Sequence, residues 1–131
     1  MDIDCYVLDS QALSLAALRD RAMTARITEA HRSGTRVVTS SMTLIEAYHG
    51  QVRRAAWVWA MSRVVVEPVT RDVAEAAIEV LEAAGLHGHK YAVGAALAVV
   101  AARQPGHVAV FTSDEDDMRK LCGPQVLVRP V

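Results

Sequence analysis

Carboxylates recur in this sequence just past short apolar runs. Asp9 follows Cys5 to Leu8, Glu46 lies one turn into the helix expected after Arg36 to Thr39, and Asp114 follows His107 to Phe111 with Asp116 and Asp117 close behind. Brought to one place, three carboxylates repel one another unless a cation neutralises them, and hard oxygen ligands of this kind favour Mg²⁺ or Mn²⁺. Each acid also has a plainer use. Asp9 and Asp114 are well placed as helix N-caps, Asp114 with Asp117 has the spacing of a capping pair, and Glu46 can be a solvated first-turn acid favoured by the helix dipole. What argues for chemistry is their coincidence, and that depends on the elements carrying them.

Those elements alternate. Cys5 to Leu8 is a buried strand ended by Asp9-Ser10, and apolar residues then recur at helical spacing from Leu13 to Ile27, as one helix or two joined near Arg19 to Arg21, ending at Ser33-Gly34. Arg36 to Thr39 is a second strand, and Ser40-Ser41 cap a helix beginning near Met42. Arg53 to Arg63 is another helix, Val64 to Glu67 a β-branched strand, and Thr70 caps an amphipathic helix with Val73, Ala77, Val80 and Leu81 inward, terminated by Gly85. After the loop Leu-His-Gly-His, the stretch from His89 to Ala102 is apolar nearly all round and forms a buried helix. A strand from His107 to Phe111, a short helix from Asp114 to Leu121 and an edge strand from Gln125 to Val128 complete the chain. Strands separated throughout by helices require a parallel sheet covered on both faces, and in such sheets ligands bind beyond the C-terminal strand ends, where the three acids fall.

Composition bounds the function. The 131 residues, 52% apolar and 22% charged, suit one ordinary globular domain spanning 1–131, with no repeat or linker. Apolar runs stop short of membrane-spanning length and the acidic N-terminus is unlike a signal peptide, so a cytoplasmic protein without membrane association is expected. A net charge of -1 disfavours nucleic-acid binding by bulk charge, yet bound divalent cations can supply local positive charge to a nuclease. Cys5 and Cys122 have no ligand-spaced partner and are expected to be buried, reduced thiols.

One residue of the buried helix is out of place. Gly94 sits in its interior, where Gly costs about 1 kcal/mol relative to Ala.

Taken in order, Tyr6-Val7-Leu8-Asp9-Ser10, Ser41-Met42-Thr43-Leu44-Ile45-Glu46, the helix from His89 to Ala102 and Phe111-Thr112-Ser113-Asp114 resemble the motifs of PIN domains, most closely those of VapC toxins. VapC proteins are the ribonuclease halves of bacterial VapBC toxin–antitoxin pairs. The resemblance covers almost the whole chain and implies a PIN-like three-layer α/β fold, with about five parallel strands and helices on both faces. It implies that Asp9, Glu46 and Asp114 are catalytic metal-site acids for Mg²⁺ or Mn²⁺, with Asp117 accessory, and that RNA is cut by in-line attack of an activated water. It also implies a cognate VapB-type antitoxin and a homodimer or toxin–antitoxin hetero-oligomer. Where the family carries an Asp in the pattern His-Lys-Tyr-Ala-Val-Asp-Ala, this chain has Gly94, so impaired cleavage is expected. The alternative is that Gly94 merely lets a neighbouring helix approach closely.

Other residues are accessory candidates. Ser10 adjoins the first acid, Thr112 and Ser113 can orient a metal-bound water or only cap the last helix, and His89 and Lys90 can touch RNA phosphate near the site's mouth. His87 and His89 lack further His or Cys at zinc spacing, so a loop is the better reading. Trp57 and Trp59 are two apart on a helix, so one should be in the core and the other at least partly exposed as a candidate antitoxin contact, plain core packing of both being the alternative. A receiver-type signalling domain would need a phosphoacceptor Asp where Glu67-Pro68 stands, a haloacid-dehalogenase-like phosphatase would need Asp-x-Asp where Asp9 is followed by Ser10-Gln11, and no Gly-x-Gly-x-x-Gly follows a strand. A catalytically degenerate PIN-like binding module remains as the other reading, favoured by Gly94.

Overall fold

Alternation along each strand decides the layers. In the computed structural model, which describes residues 2–131, strand β1 (Cys5–Leu8) sends Cys5 and Val7 to one face and Tyr6 and Leu8 to the other. β2 (Arg36–Ser40), β3 (Val65–Glu67), β4 (Val108–Thr112) and β5 (Val126–Pro130) join it in a parallel sheet of order β3-β2-β1-β4-β5. Cys5 stands beside Arg36 on one side and Val108 on the other, so β1 is central and the strand order reverses around it. That order differs from the 2-1-3-4-5 arrangement of receiver domains and removes that reading.

Helices α1 (Ser10–Ala17), α2 (Arg21–Ser33) and α4 (Arg54–Arg63) cover the face of Leu8, Val37, Ala109 and Phe111. On the opposite face, α6 (Gly88–Ala102) packs Leu97, Val100 and Ala101 against Val7, Val38 and Val110. Outside α6 lie α5 (Arg71–Ala84) and α7 (Glu115–Leu121), joined to it through Val73, Ala77, Leu81 and Leu121. Helix α3 (Ser41–Ala47) follows β2 directly, capped by the Ser40 hydroxyl.

The expected elements are present, with shifted ends. The first helical stretch is two helices, because Arg19 at φ 59 breaks it and the Asp20 carboxylate restarts it by accepting the Met23 N–H. Val64 ends α4 instead of opening β3, and β4 begins at Val108, not His107. The last strand runs on to Pro130, tolerated because β5 is an edge strand paired only with β4. His89 belongs to the first turn of α6 and not to a loop. That helix is buried from Ala95 to Ala101, but its first turns are exposed or half-buried. Gly34 and Gly85 end α2 and α5 in the left-handed conformation, which glycine adopts without steric cost.

No helix among the described residues is long and apolar enough to cross a membrane. Cys5 is buried and Cys122 half-buried, and both are free thiols. Burial pushes the Cys122 thiol up to about 11 and raises that of Cys5, so neither is a ready nucleophile.

Two buried hydroxyls fix the sheet edge at which the acids lie. Thr39 donates to the Leu8 carbonyl at 2.7 Å, tying β2 to β1, and Ser14 donates to the Ala47 carbonyl at 2.7 Å, tying α1 to the end of α3. Ser14→Ala leaves the Ala47 carbonyl without that donor and is expected to cost about 1–3 kcal/mol, read by urea denaturation. A change within about 0.5 kcal/mol, the ordinary range for a surface site, would show that the bond does not hold α3 in place.

Candidate active site

The carboxylate that ends β1 does two jobs at once. Asp9 caps α1, its Oδ1 accepting the Ala12 N–H at 2.8 Å, while its Oδ2 accepts the Ser113 N–H at 3.1 Å from beyond the end of β4. Its structural and chemical readings therefore coexist, and the side chain clips the two central strands together at their C-terminal ends. The Asp9 N–H donates to the Phe111 carbonyl at 3.1 Å, extending the ladder to the same point.

After β4 the chain turns sharply. Thr112, fully buried, accepts the Asp114 N–H on its hydroxyl at 2.9 Å, so it shapes this turn, whereas Ser113 is exposed. Asp114 occupies the N-cap position of α7, yet its carboxylate makes no capping bond. It stands instead beside Asp117, one turn on. The expected capping pair is thus a carboxyl–carboxyl pair. Hydrogen bonding to Asp114, then desolvation, then the negative charge of Asp114 hold the Asp117 carboxyl above the usual range, with Lys120 and Lys90 pulling the other way.

Glu46 departs from expectation. It lies in the last turn of α3, not the first, and is exposed. A negative charge near a helix C-terminus gains nothing from the dipole, so that part of the plain reading falls away while the solvated position remains.

These acids share one cavity of about 200 Å³, beyond β1 and β4 and between α3, α6 and α7. Asp9, Ser10, Glu46, Lys90, Gly94, Thr112, Ser113, Asp114 and Asp117 all line it. Of the sequence-derived candidates, His89 alone is outside the lining, exposed on the first turn of α6. Gly94 contributes no polar group. Lys90 lies one turn before it on the same helix face and brings the cavity's one lysine.

Sequence reasoning passed over Thr43, Tyr91, Val93, Leu97, Met118 and Leu121, which complete the lining. The signal was helical spacing. Thr43 with Glu46, Lys90 with Gly94 and Leu97, and Asp114 with Asp117, Met118 and Leu121 each repeat at three, four or seven residues and share a face.

Whether a divalent ion suits these residues can be judged from the donors. Hard carboxylate oxygens predominate, and two carboxyls already stand side by side, an arrangement that a cation relieves. Among the described residues no three His, Cys, Asp or Glu side chains already converge on one point. Mg²⁺ does not demand that, since one or two carboxylates commonly hold it while waters and substrate phosphate complete its shell. The set fits such an ion, with Asp114 and Asp117 as its preassembled part.

Away from the cavity, Trp57 and Trp59 are both half-buried against the α1–α2–α4 core. The expected division into one core and one exposed tryptophan is therefore replaced by two partly covered rings. Trp57 meets Tyr48 edge-on with centroids 4.9 Å apart, and Arg63 lies over Trp59.

The carboxyl pair makes a titration prediction. In metal-free protein the Asp117 carboxyl should titrate above the ordinary carboxylate value, and Asp114→Asn should lower its midpoint by removing the neighbouring charge and offering a donor. Carboxyl-carbon NMR reads both. An unchanged midpoint in the variant would mean that the pair is not in contact in solution.

Comparison with known proteins agrees with this geometry. No curated protein matches the sequence. Among solved structures, the chain is similar to the "Crystal structure of VapBC2 from Rickettsia felis bound to a DNA fragment from their promoter", at TM-score 0.68 and 11% identity over 97% of this chain and 98% of that one. At that identity the likeness is one of fold. The model of the PIN domain family matches residues 6–124, which takes in β1 from Tyr6 onward, all four cavity acids and α6. With its carboxylates gathered where the strand order reverses and nearly its whole length matched, the chain belongs to the PIN domain family.

Proposed function

We propose that this chain is a VapC-like endoribonuclease toxin, dependent on Mg²⁺ or Mn²⁺, and that Gly94 leaves it a weak one. The observation that carries the reading is the meeting of Asp9, Glu46, Asp114 and Asp117 in one cavity at the point of strand reversal. Asp9, Glu46 and Asp114, with Asp117 accessory, would hold the ion, Asp9 being fixed by its two backbone donors and Glu46 lying across the cavity. Bound there, the ion supplies an activated water and stabilises charge developing on phosphorus. Lys90 offers its ammonium to a phosphate oxygen, Ser10 and Ser113 offer hydroxyls at the rim, and Thr112 keeps the Asp114 turn in shape. With Gly94 in α6, the wall facing these acids lacks a carboxylate, which would weaken the hold of these residues on a divalent ion.

In this reading residues 1–131 form one PIN unit working in the cytoplasm on RNA, as a homodimer or in a hetero-oligomer with a VapB-type antitoxin. The antitoxin finds support in the VapBC2 structure, named as a pair of partners on promoter DNA. Trp59, half-buried in a shallow cavity with Arg19, Arg21, Thr24 and Ala25, is a candidate contact, and Trp57 another.

Gly94 favours a second reading, a PIN module that binds antitoxin or RNA without cutting. Titration calorimetry with Mn²⁺ separates the two, because a pure binding module has no need of the ion.

For the nuclease, slow cleavage of a single-stranded RNA should require Mn²⁺ and vanish with chelator. Asp9→Asn and Asp114→Asn should each lower the rate by about a hundredfold, the usual scale for losing one charge-stabilising group. Cleavage that survives chelation and both substitutions would contradict the proposal.

A further inference from the structure

The helix wall at Gly94 is crowded. Its backbone is ordinary α-helix, without the positive φ that would demand glycine. The backbone does not demand a glycine there, so what a side chain would meet is set by the space beside it, and that space belongs to α7. A Cβ at position 94 would come 3.2 Å from Leu121 Cδ1, closer than side chains normally pack. Leu121 is held, only 6% exposed, among Val73, Ala77 and Leu81 of α5 and Ala95, Ala98 and Val99 of α6. Both residues line the acid cavity, with Asp117 one turn before Leu121 on the same face of α7.

We infer that Leu121 is the residue that decides whether position 94 can carry a side chain, and with it a carboxylate facing Asp114 and Asp117. The carboxylate part of this inference rests on the metal-site reading above; the packing part does not. Gly94 and Leu121 are one steric unit: the leucine's terminal methyl stands 3.2 Å from the place that the first atom of a side chain at 94 would take. The backbone fixes that first atom, so an Asp placed there has to displace the methyl by a few tenths of an ångström or shift α6 away from α7, and its carboxylate with it. Gly94→Asp alone therefore rebuilds the carboxylate cage incompletely, and a shorter residue at 121 completes it.

The test is a double-mutant cycle on metal-free protein, followed by Mn²⁺. Gly94→Ala should stabilise a helix interior, a rise in Tm of about 3–5 °C for a domain of this size. With Leu121 in place that rise should be absent or reversed. In a Leu121→Val background, which shortens the side chain while keeping it apolar, it should appear. Leu121→Ala is the stronger relief, but the milder variant keeps the cycle readable if Leu121→Ala does not fold. Equal shifts in both backgrounds would overturn the inference, since independent sites add.

The second arm measures the Tm rise produced by Mn²⁺ in Gly94→Asp and in Gly94→Asp/Leu121→Val. A larger rise in the double variant supports the carboxylate claim, and a rise no larger than in Gly94→Asp overturns it. If the metal-free cycle is coupled while Mn²⁺ shifts none of the variants, the steric claim stands and the metal-site reading fails.

Discussion

Asp114 and Asp117 stand one turn apart at the start of α7 and line the same cavity, and hydrogen bonding to Asp114 holds the Asp117 carboxyl above its usual range. Two such groups cannot both ionise comfortably at that separation, so one keeps its proton above the usual range or a cation takes the proton's place. The rest of the site repeats the constraint. Asp9 and Glu46 add negative charge to the same cavity, and Lys90 is its one lysine. A fold gains no stability from crowding acids in this way, which is why the arrangement reads as a place for an ion and a phosphate.

The sheet explains how the crowding is achieved. With β1 central and the order reversing around it, the ends of β1, β2 and β4 lie side by side, and each leads within a few residues to an acid. Backbone donors then fix the first of them, since Asp9 is gripped from its own helix and from the turn after β4. Buried hydroxyls on Thr39, Ser14 and Thr112 hold the neighbouring segments, each satisfied by one main-chain partner. Buried hydroxyls left unpaired would be costly, so these bonds make the edge specific as well as stable.

Much of this was legible in the sequence because it follows from local pattern. Strand and helix order came from apolar runs and periodicity, and the position of Asp9 and Asp114 came from the turns that end those runs. What was not legible depended on the third dimension. Glu46 looked like a first-turn acid because the start of α3 was placed near Met42, and the short helix ends just past it at Ala47. His89 shares a sequence neighbourhood with Lys90 but sits on another side of the first turn of α6. Spacing alone gives Trp57 and Trp59 opposite environments, whereas both pack partly buried against the same core, with the Tyr48 ring against Trp57. Gly94 could be recognised as an absent acid from the resemblance, but the leucine pressing toward it comes from twenty-seven positions further along the chain, a pairing that no local pattern reveals.

A divalent ion held by these carboxylates would settle between β1, β4 and α7. Paramagnetic broadening by substoichiometric Mn²⁺, followed on backbone amide resonances, tests it most directly, because broadening falls steeply with distance from the ion. The account predicts early loss of the signals of Ser113 to Met118, with Asp9 to Ala12 and Glu46 following, before any change at Glu75, Glu79 or Glu82 on the outer face of α5. Broadening that begins on α5, or spreads evenly over the acidic surface, would contradict it.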